Sequence, residues 1–136
     1  MSNPTVTRTS TPAVSGYALL IRWVVTLHLL ALAAQLAMAI SFVGGAAPAL
    51  PPHMKGAWAV AALGLVQAGL LLSVPATRLR NVHKLMAVAV VLGEVSQIHF
   101  GTTLGLALHV TTAMLVWAFS LTLSIKVWAP TWKLAA

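Results

Sequence analysis

The chain has 136 residues, of which 60% are hydrophobic and 7% are charged, and one acidic side chain stands against eight lysines and arginines. A soluble domain averages about 25% charged residues, so this composition excludes an ordinary soluble fold and predicts an integral membrane protein. The sequence has no cysteine, which excludes disulfides, thiolate metal sites and covalent attachment of haem through cysteine.

Four apolar stretches follow a mobile tail at 1–16 that is rich in serine, threonine and proline. The stretches lie at 19–43, 54–74, 85–100 and 104–127. A helix of about 20 apolar residues crosses a membrane, and we expect the third stretch to gain length from 82–84, where a lysine can extend to the interface. Short loops favour antiparallel neighbours. The sequence therefore predicts an all-α, integral membrane, up-down-up-down bundle of four helices at 17–128, followed by a tail at 129–136.

Basic residues predict which face of the bundle is cytoplasmic. Seven of the eight lysines and arginines lie at the face that holds both termini, and only Lys55 lies in the loops of the other face. The positive-inside rule makes the first face cytoplasmic, so we expect a multi-pass protein of the cell's inner (plasma) membrane with both termini inside. We attribute the basic charge to this topology and to contact with the lipid bilayer, and not to nucleic acid.

Four histidines occupy matching positions in the two halves of the chain: His28, His53, His83 and His109. An imidazole is expensive in hydrocarbon unless it binds something. His28 and His83 lie near the inner starts of outgoing stretches, whereas His53 and His109 lie near the outer starts of returning ones. Depth therefore predicts two pairs on diagonal helices, His28 with His83 at the inner face and His53 with His109 at the outer face.

Uncommon polar residues share a helix face with each histidine. At 100° per residue, Gln35, Gln67, Glu94 and Ser120 fall within about 40° of the histidine on the same helix. Polar residues in membrane spans face the bundle interior or a cavity, so we expect the histidines to point at a common interior. We predict Glu94, Gln35 and Gln67 as groups that support the histidines or carry protons, and the glutamines, with Gln97, also fit as interhelical hydrogen bonds.

Haem b is the cofactor that such a cage suits best. Two imidazoles are standard axial ligands for an electron-transferring haem iron. Small residues near the histidines leave room for a flat macrocycle, although they also let bare helices pack closely. We therefore predict that His28, His53, His83 and His109 bind haem iron as two pairs, with two haems expected in the bundle and a single haem as the alternative. The expected function is a membrane b-type cytochrome, alone or as a subunit of a larger redox complex, and an electron-transfer protein rather than a complete enzyme.

The chain from the second helix onward resembles one four-helix half of the haem A synthase family. The resemblance is carried by His-Met-Lys-Gly-Ala-Trp at 53–58, Val-Val-Leu-Gly-Glu-Val-Ser-Gln at 90–97 and Ala-Leu-His-Val-Thr-Thr-Ala-Met-Leu at 107–115. It implies that His53 and His109 pair on one haem. Leu50 and Met54 stand where that family carries its catalytic glutamate and an arginine, so the resemblance implies the haem site and not the synthase reaction. The inner pair is similar instead to the ascorbate-type diheme b cytochromes.

Two other functions stay open. Four short spans and one membrane carboxylate, here Glu94, are also typical of small multidrug-type transporters, and a cofactor-free assembly or structural subunit of a respiratory complex fits the composition. A cytochrome of this kind would meet a quinol or another redox protein, within a homo- or hetero-oligomer. His99 lies about 160° around its helix from His83, so we expect it outside the cage, at the membrane interface.

Overall fold

The structure, a computed structural model, describes residues 15–103 and 105–132, and these are helical without any strand. Helix α1 spans Gly16–Val43, a short 3-10 helix spans Ala47–Ala49, α2 spans Leu50–Ser73, α3 spans Asn81–Thr103 and α4 spans Leu106–Trp128. The predicted all-α fold with four long helices is confirmed. Most of the two predicted tails, at 1–14 and 133–136, lies outside the described residues.

Local sequence signals set the helix boundaries. The Ser15 hydroxyl accepts a hydrogen bond from the Ala18 amide at 3.2 Å and thereby caps the start of α1. Proline occupies the first turn of α2, where a missing amide proton costs nothing. Gly105 precedes α4 with a φ of 89°, a backbone region that favours glycine, so the chain turns directly from α3 into α4.

The four helices form a closed ring. Helix α1 contacts α2 and α4, and α3 contacts the same two helices. Within the described ranges, the diagonal helices meet only through side chains that reach the centre of the ring. Residues that face the centre therefore belong to all four helices, which is what lets distant parts of the sequence build one site.

One end of the ring, here called the basic end, holds the starts of α1 and α3 beside the ends of α2 and α4. The Lys84 ammonium donates to the Leu72 carbonyl at 3.0 Å. The Arg22 guanidinium donates to the carbonyls of Val127 at 2.9 Å and Trp132 at 3.3 Å. Trp132, which the sequence placed in the C-terminal tail, is buried against the bundle. The chain after α4 thus folds back over the basic end.

Apolar side chains fill the basic half of the ring. The fully buried ones include Ile21, Val25, Leu71, Val74, Leu79, Leu123 and Val127. Protein interiors are packed as tightly as organic crystals, and the two cavities described below lie toward the opposite end. The basic half is therefore a largely apolar core, and both cavities lie toward the other half.

Three helical segments are long and apolar enough to cross a membrane: Gly16–Val43, Ala47–Ser73 and Leu106–Trp128. Helix α3 has a similar length of 23 residues but is less apolar, because it carries more polar side chains than any of the other three helices. The outer surfaces of the helices expose leucine, isoleucine and tryptophan, a surface that suits lipid better than water. The chain is thus built as a membrane protein, with three segments meeting the criterion for a span.

Candidate functional site

Two histidines face each other at the end of the bundle opposite the basic end, here called the histidine end after His53 and His109. Their ring centroids lie 6.3 Å apart and their ring planes are inclined by 73°. His53 belongs to α2 and His109 to α4, helices that lie on a diagonal of the ring. The structure therefore brings together, in the interior, the two histidines that the sequence paired at the outer face.

Each ring is oriented by a backbone carbonyl of the preceding helix. His53 Nδ1 donates to the Gln35 carbonyl and His109 Nδ1 donates to the Gln97 carbonyl, both at 3.2 Å. A neutral imidazole with its proton on Nδ1 keeps its lone pair on Nε2. Metal-ligating histidines almost always use their second nitrogen for such a bond. The arrangement therefore presents Nε2 of both rings as the ligating atom.

Gln97 makes a second contact with His109. Its side-chain amide donates to the His109 carbonyl at 2.6 Å. This bond joins α3 to α4 and confirms the prediction that Gln97 forms an interhelical hydrogen bond. That the bond reaches one of the two paired histidines was not predicted, although Gln97 lies three residues after Glu94, on the same inward helix face.

Two glycines leave room for these groups. A Cβ at Gly101 would lie 3.3 Å from the His109 ring, and a Cβ at Gly56 would lie 2.2 Å from the amide nitrogen of Gln35. A contact of 2.2 Å is impossible without movement, so Gly56 is what lets the Gln35 side chain lie against α2. Gly56 thus leaves room for the Gln35 side chain, and Gly101 leaves room for the His109 ring.

A cavity of about 350 Å³ adjoins the two rings and reaches toward the middle of the bundle. Its polar lining consists of Gln35, His53, Glu94, Gln97 and His109. The rest of the lining is apolar and includes Leu32, Ala57, Val60, Ala113 and Trp117. A mostly apolar cavity with a few convergent polar groups is the usual form of a small-molecule or cofactor site.

A second pocket of about 700 Å³ shares the two histidines with this cavity and lies toward the end of the bundle. Aromatic residues flank it, namely Phe42, Trp58 and Phe100. Because the two spaces share seven lining residues, they form one branched space around His53 and His109. That space is large enough to take a flat, apolar group much bigger than a metal ion.

His28 is placed differently from the sequence expectation. Its Nδ1 faces the side-chain oxygen Oε1 of Gln67 at 2.9 Å, and its Nε2 faces a carboxylate oxygen of Glu94 at a short hydrogen-bonding distance. His28 is fully buried, and Gln67 and Glu94 are 1% and 4% exposed. Both ring nitrogens of His28 are therefore engaged by protein groups rather than offered to a metal.

The structure does not bring His28 and His83 together. Glu94, the partner of His28, lies eleven residues beyond His83 on α3, or about 16 Å along the helix axis. The reason is the helix boundaries, because α1 begins twelve residues before His28 whereas α3 begins only two residues before His83. His28 is thus in the middle of the bundle and His83 at the basic end, where apolar side chains fill the space between helices.

Each helix contributes one buried polar residue: His28, Gln67, Glu94 and Ser120. Hydrogen bonds join the first three into a cluster in the middle of the bundle. Helical phase predicted that all four face the interior, and their burial confirms this. Among the described side chains, three atoms of these four residues are buried without a hydrogen-bond partner: Gln67 Nε2, Glu94 Oε2 and Ser120 Oγ. The cluster therefore has capacity for further hydrogen bonds.

Gly64 gives the Glu94 carboxylate its place. A Cβ at this position would lie 2.0 Å from Oε2 and 2.9 Å from Cδ of Glu94, so only glycine allows the carboxylate to lie against the α2 backbone. The contact between Gly64 and Glu94 was not predicted from the sequence. The signal was its position on the inward face of α2, three residues before Gln67.

No group of three or more histidine and carboxylate side chains within 15–103 and 105–132 is close enough to hold a bare metal ion. His53 and His109 form a pair of imidazoles, which could hold a metal only as part of a group that supplies further ligands itself.

Comparisons of the chain with known protein families, with curated proteins and with solved structures find no match.

Proposed function

We propose that this protein is a membrane b-type cytochrome in which His53 and His109 bind the iron of a single haem b through their Nε2 atoms. The observation that carries the proposal is the pair of facing rings, each with its proton held on Nδ1 by a backbone carbonyl. A haem bound by two imidazoles supplies one-electron transfer without a free coordination position for substrate. The proposed function is therefore electron transfer and not a complete enzymatic reaction.

The spacing of the two rings supports this ligation. Taking zinc as a guide, an imidazole nitrogen binds a first-row metal at about 2.0–2.1 Å, so two in-line rings around one metal have centroids about 6 Å apart. The observed separation is 6.3 Å.

The surrounding space also supports a macrocycle. The 350 Å³ cavity and the adjoining 700 Å³ pocket meet at His53 and His109, and their lining is mostly apolar, as the faces of a porphyrin require. Gln35 and Gln97 act on the ligands from behind through their carbonyls, the kind of contact that fixes ring orientation and raises ligand basicity. The resemblance to one half of the haem A synthase family implies the same two histidines, and we retain it as part of this proposal.

We propose one haem, not two. A second haem at the basic end would need His28 and His83 as partners, but both nitrogens of His28 face Gln67 and Glu94. The helices around His83 are filled by fully buried apolar side chains such as Leu79 and Leu123. We therefore do not propose a second haem between His28 and His83.

We further propose that α3 crosses the membrane with the other three helices, in an up-down-up-down bundle whose termini lie in the cytoplasm. Between 85 and 95 its exposed side chains are apolar, including Leu85, Leu92 and Val95, while Glu94 and Gln97 face the cavity. Helix α3 is thus polar inside and apolar outside, as an interior-lining span is. The basic end carries most of the positive charge, which favours the cytoplasmic side of the plasma membrane.

An absorption spectrum tests the haem proposal. The full chain, expressed with ample haem and purified in detergent or nanodiscs, is expected to show the reduced-minus-oxidised spectrum of a low-spin b haem at one haem per chain. A folded but colourless protein contradicts the proposal and favours the second candidate, a small transporter. The observation that favours a transporter is that the Glu94 carboxylate lines the cavity.

A further inference from the structure

The polar cluster in the middle of the bundle lies directly behind the proposed haem site. Glu94 lines the same cavity as His53 and His109 but bonds His28 rather than either of them. On the other side of the cluster, the basic half of the bundle is a largely apolar core. The His28–Glu94 pair therefore reaches the cavity through Glu94, and buried apolar side chains lie on its other side.

The positions of the two side chains fit a pair that shares one proton. In the described geometry both nitrogens of His28 face oxygen acceptors, Oε1 of Gln67 and a carboxylate oxygen of Glu94. An imidazole that donates from both nitrogens is an imidazolium, and beside a carboxylate it makes a pair with no net charge. A net charge in a dry interior is costly, whereas a paired and hydrogen-bonded couple is tolerated. The geometry is that of the pair with its proton bound.

Gln67 can satisfy His28 with or without that proton. With the proton bound, its side-chain oxygen accepts from Nδ1, and its amide nitrogen is buried without a partner. If the pair loses the proton, Nδ1 becomes an acceptor, and rotation of the Gln67 amide by half a turn brings Nε2 to donate to it. An amide can serve both states, whereas a carboxylate or an aliphatic side chain at position 67 could not.

We propose that the His28–Glu94 pair is the proton-binding site coupled to the oxidation state of the haem. With a haem bound, ferric iron would place one more positive charge in the interior than ferrous iron. Neutral His28 beside ionised Glu94 would offset that charge, and the pair would take up one proton when a one-electron donor, such as a reduced redox protein, supplies the electron. The net charge of the interior would then be the same in both oxidation states, and oxidation would release the electron and the proton.

The charged and titratable groups that face the pair are few. Helices α1 and α3 contribute the pair itself, His28 and Glu94. Helices α2 and α4 contribute His53 and His109, which line the same cavity as Glu94. No lysine or arginine lines the cavity or belongs to the buried polar residues among those that the structure describes. Within the described part of the chain, the His28–Glu94 pair is therefore the proton-binding group at this cavity that the proposal does not use to bind iron.

A redox titration at several pH values tests the coupling, and it rests on the proposed haem site. In the haem-loaded full chain, the midpoint potential is expected to fall by up to about 59 mV for each tenfold drop in proton concentration, the value for one proton per electron. Glu94→Gln removes most of this dependence at unchanged haem content. His99→Gln, an exposed histidine on the same helix, keeps the wild-type dependence and serves as the control.

A second readout needs no haem. Glu94 is the only acidic side chain in the sequence, so in the haem-free protein the infrared carboxyl and carboxylate bands of side chains belong to this residue. We expect the carboxyl band to convert into the carboxylate band when the pair loses its proton, and the reverse when it gains one. Glu94→Gln is expected to abolish this change. With haem bound and glutamate isotopically labelled, reduction is expected to change the bands of the pair. If single variants do not fold, the double variant His28→Gln/Glu94→Gln, which removes both charges, takes their place.

The outcomes separate the two proposals. A chain that binds no haem overturns both the haem site and its coupling, while the infrared titration still shows whether the pair exchanges a proton. A chain that binds haem but has a midpoint potential independent of pH, or whose Glu94→Gln variant keeps the wild-type dependence, overturns the coupling and leaves the haem site standing.

Discussion

His28 and Glu94 are joined across the diagonal of the bundle, although their helices are not neighbours. The pair therefore links α1 to α3 through the centre of the ring. Removing one partner of a buried ion pair typically costs about 3–5 kcal/mol, because the remaining charge is stranded. The energetic consequence is testable without any cofactor.

We expect His28→Leu and Glu94→Leu each to destabilise the haem-free protein by about 3–5 kcal/mol. The double variant should lose much less than the sum of the two, since neither charge remains. Unfolding in detergent by a denaturant, followed by circular dichroism, gives the three free energies. Additive losses would mean that the two side chains do not depend on each other.

Gly64 should be sensitive to substitution in a way that Gly69 is not. A Cβ at Gly64 would lie 2.0 Å from the Glu94 carboxylate, whereas a Cβ at Gly69 on the same helix meets nothing within 4 Å. We expect Gly64→Ala to lower the free energy of unfolding by about 1–3 kcal/mol, the usual cost of overpacking. Gly69→Ala should be neutral or stabilise by up to about 1 kcal/mol.

Both alanine variants also report on the position of Glu94. If Gly64→Ala moves the carboxylate away from α2, the infrared carboxylate bands of Glu94 shift, and Gly69→Ala leaves them unchanged. Equal stability and identical spectra for the two variants would show that Glu94 does not lie against Gly64.

Arg22 should hold the chain after α4 against the basic end. Its guanidinium donates to the carbonyls of Val127 and Trp132, and lies 5.2 Å and 5.8 Å from the ring centroids of Trp128 and Trp132. Hydrogen bonds to a charged group are worth about 1.5–3 kcal/mol each. We expect Arg22→Gln to accelerate hydrogen exchange at 127–132. Arg80→Gln, which removes an exposed arginine at the same end, is the matched control, and equal exchange in both variants would argue against the Arg22 contacts.

The absence of native cysteine makes the topology directly measurable. Single cysteines at Ala46 and His99 mark the histidine end, and one at Thr77 marks the basic end. In spheroplasts, an impermeant thiol reagent is expected to label the first two from outside and to reach Thr77→Cys only after lysis. Labelling of Ala46→Cys but not His99→Cys from outside would mean that α3 does not cross the membrane.

The sequence predicted much of the site because a membrane interior restricts where polar residues can point. Helical phase alone placed Gln67, Glu94 and Ser120 inside, and all three are buried. Depth was harder to predict. His28 and His83 stand at similar distances after basic residues in the sequence, but α1 starts much further ahead of its histidine than α3 does.

The contacts themselves lay beyond the sequence. Gln67, His28 and Glu94 belong to three helices, and which of them pair depends on how far each helix is shifted along the bundle. The role of Gly64 depends on a close approach between α2 and α3, and small residues in a membrane helix are too common to single it out. The backbone carbonyls that orient His53 and His109 have no side-chain signature at all.

The haem content of five histidine variants, measured on equal amounts of folded protein, tests the central claim most directly. His53→Ala and His109→Ala are each expected to lose the low-spin haem, because each supplies one axial ligand. His28→Gln, His83→Ala and His99→Ala are expected to keep one haem per chain, since they ligate none. Retention of a low-spin haem by His53→Ala or His109→Ala, or its loss from His83→Ala, would contradict the account.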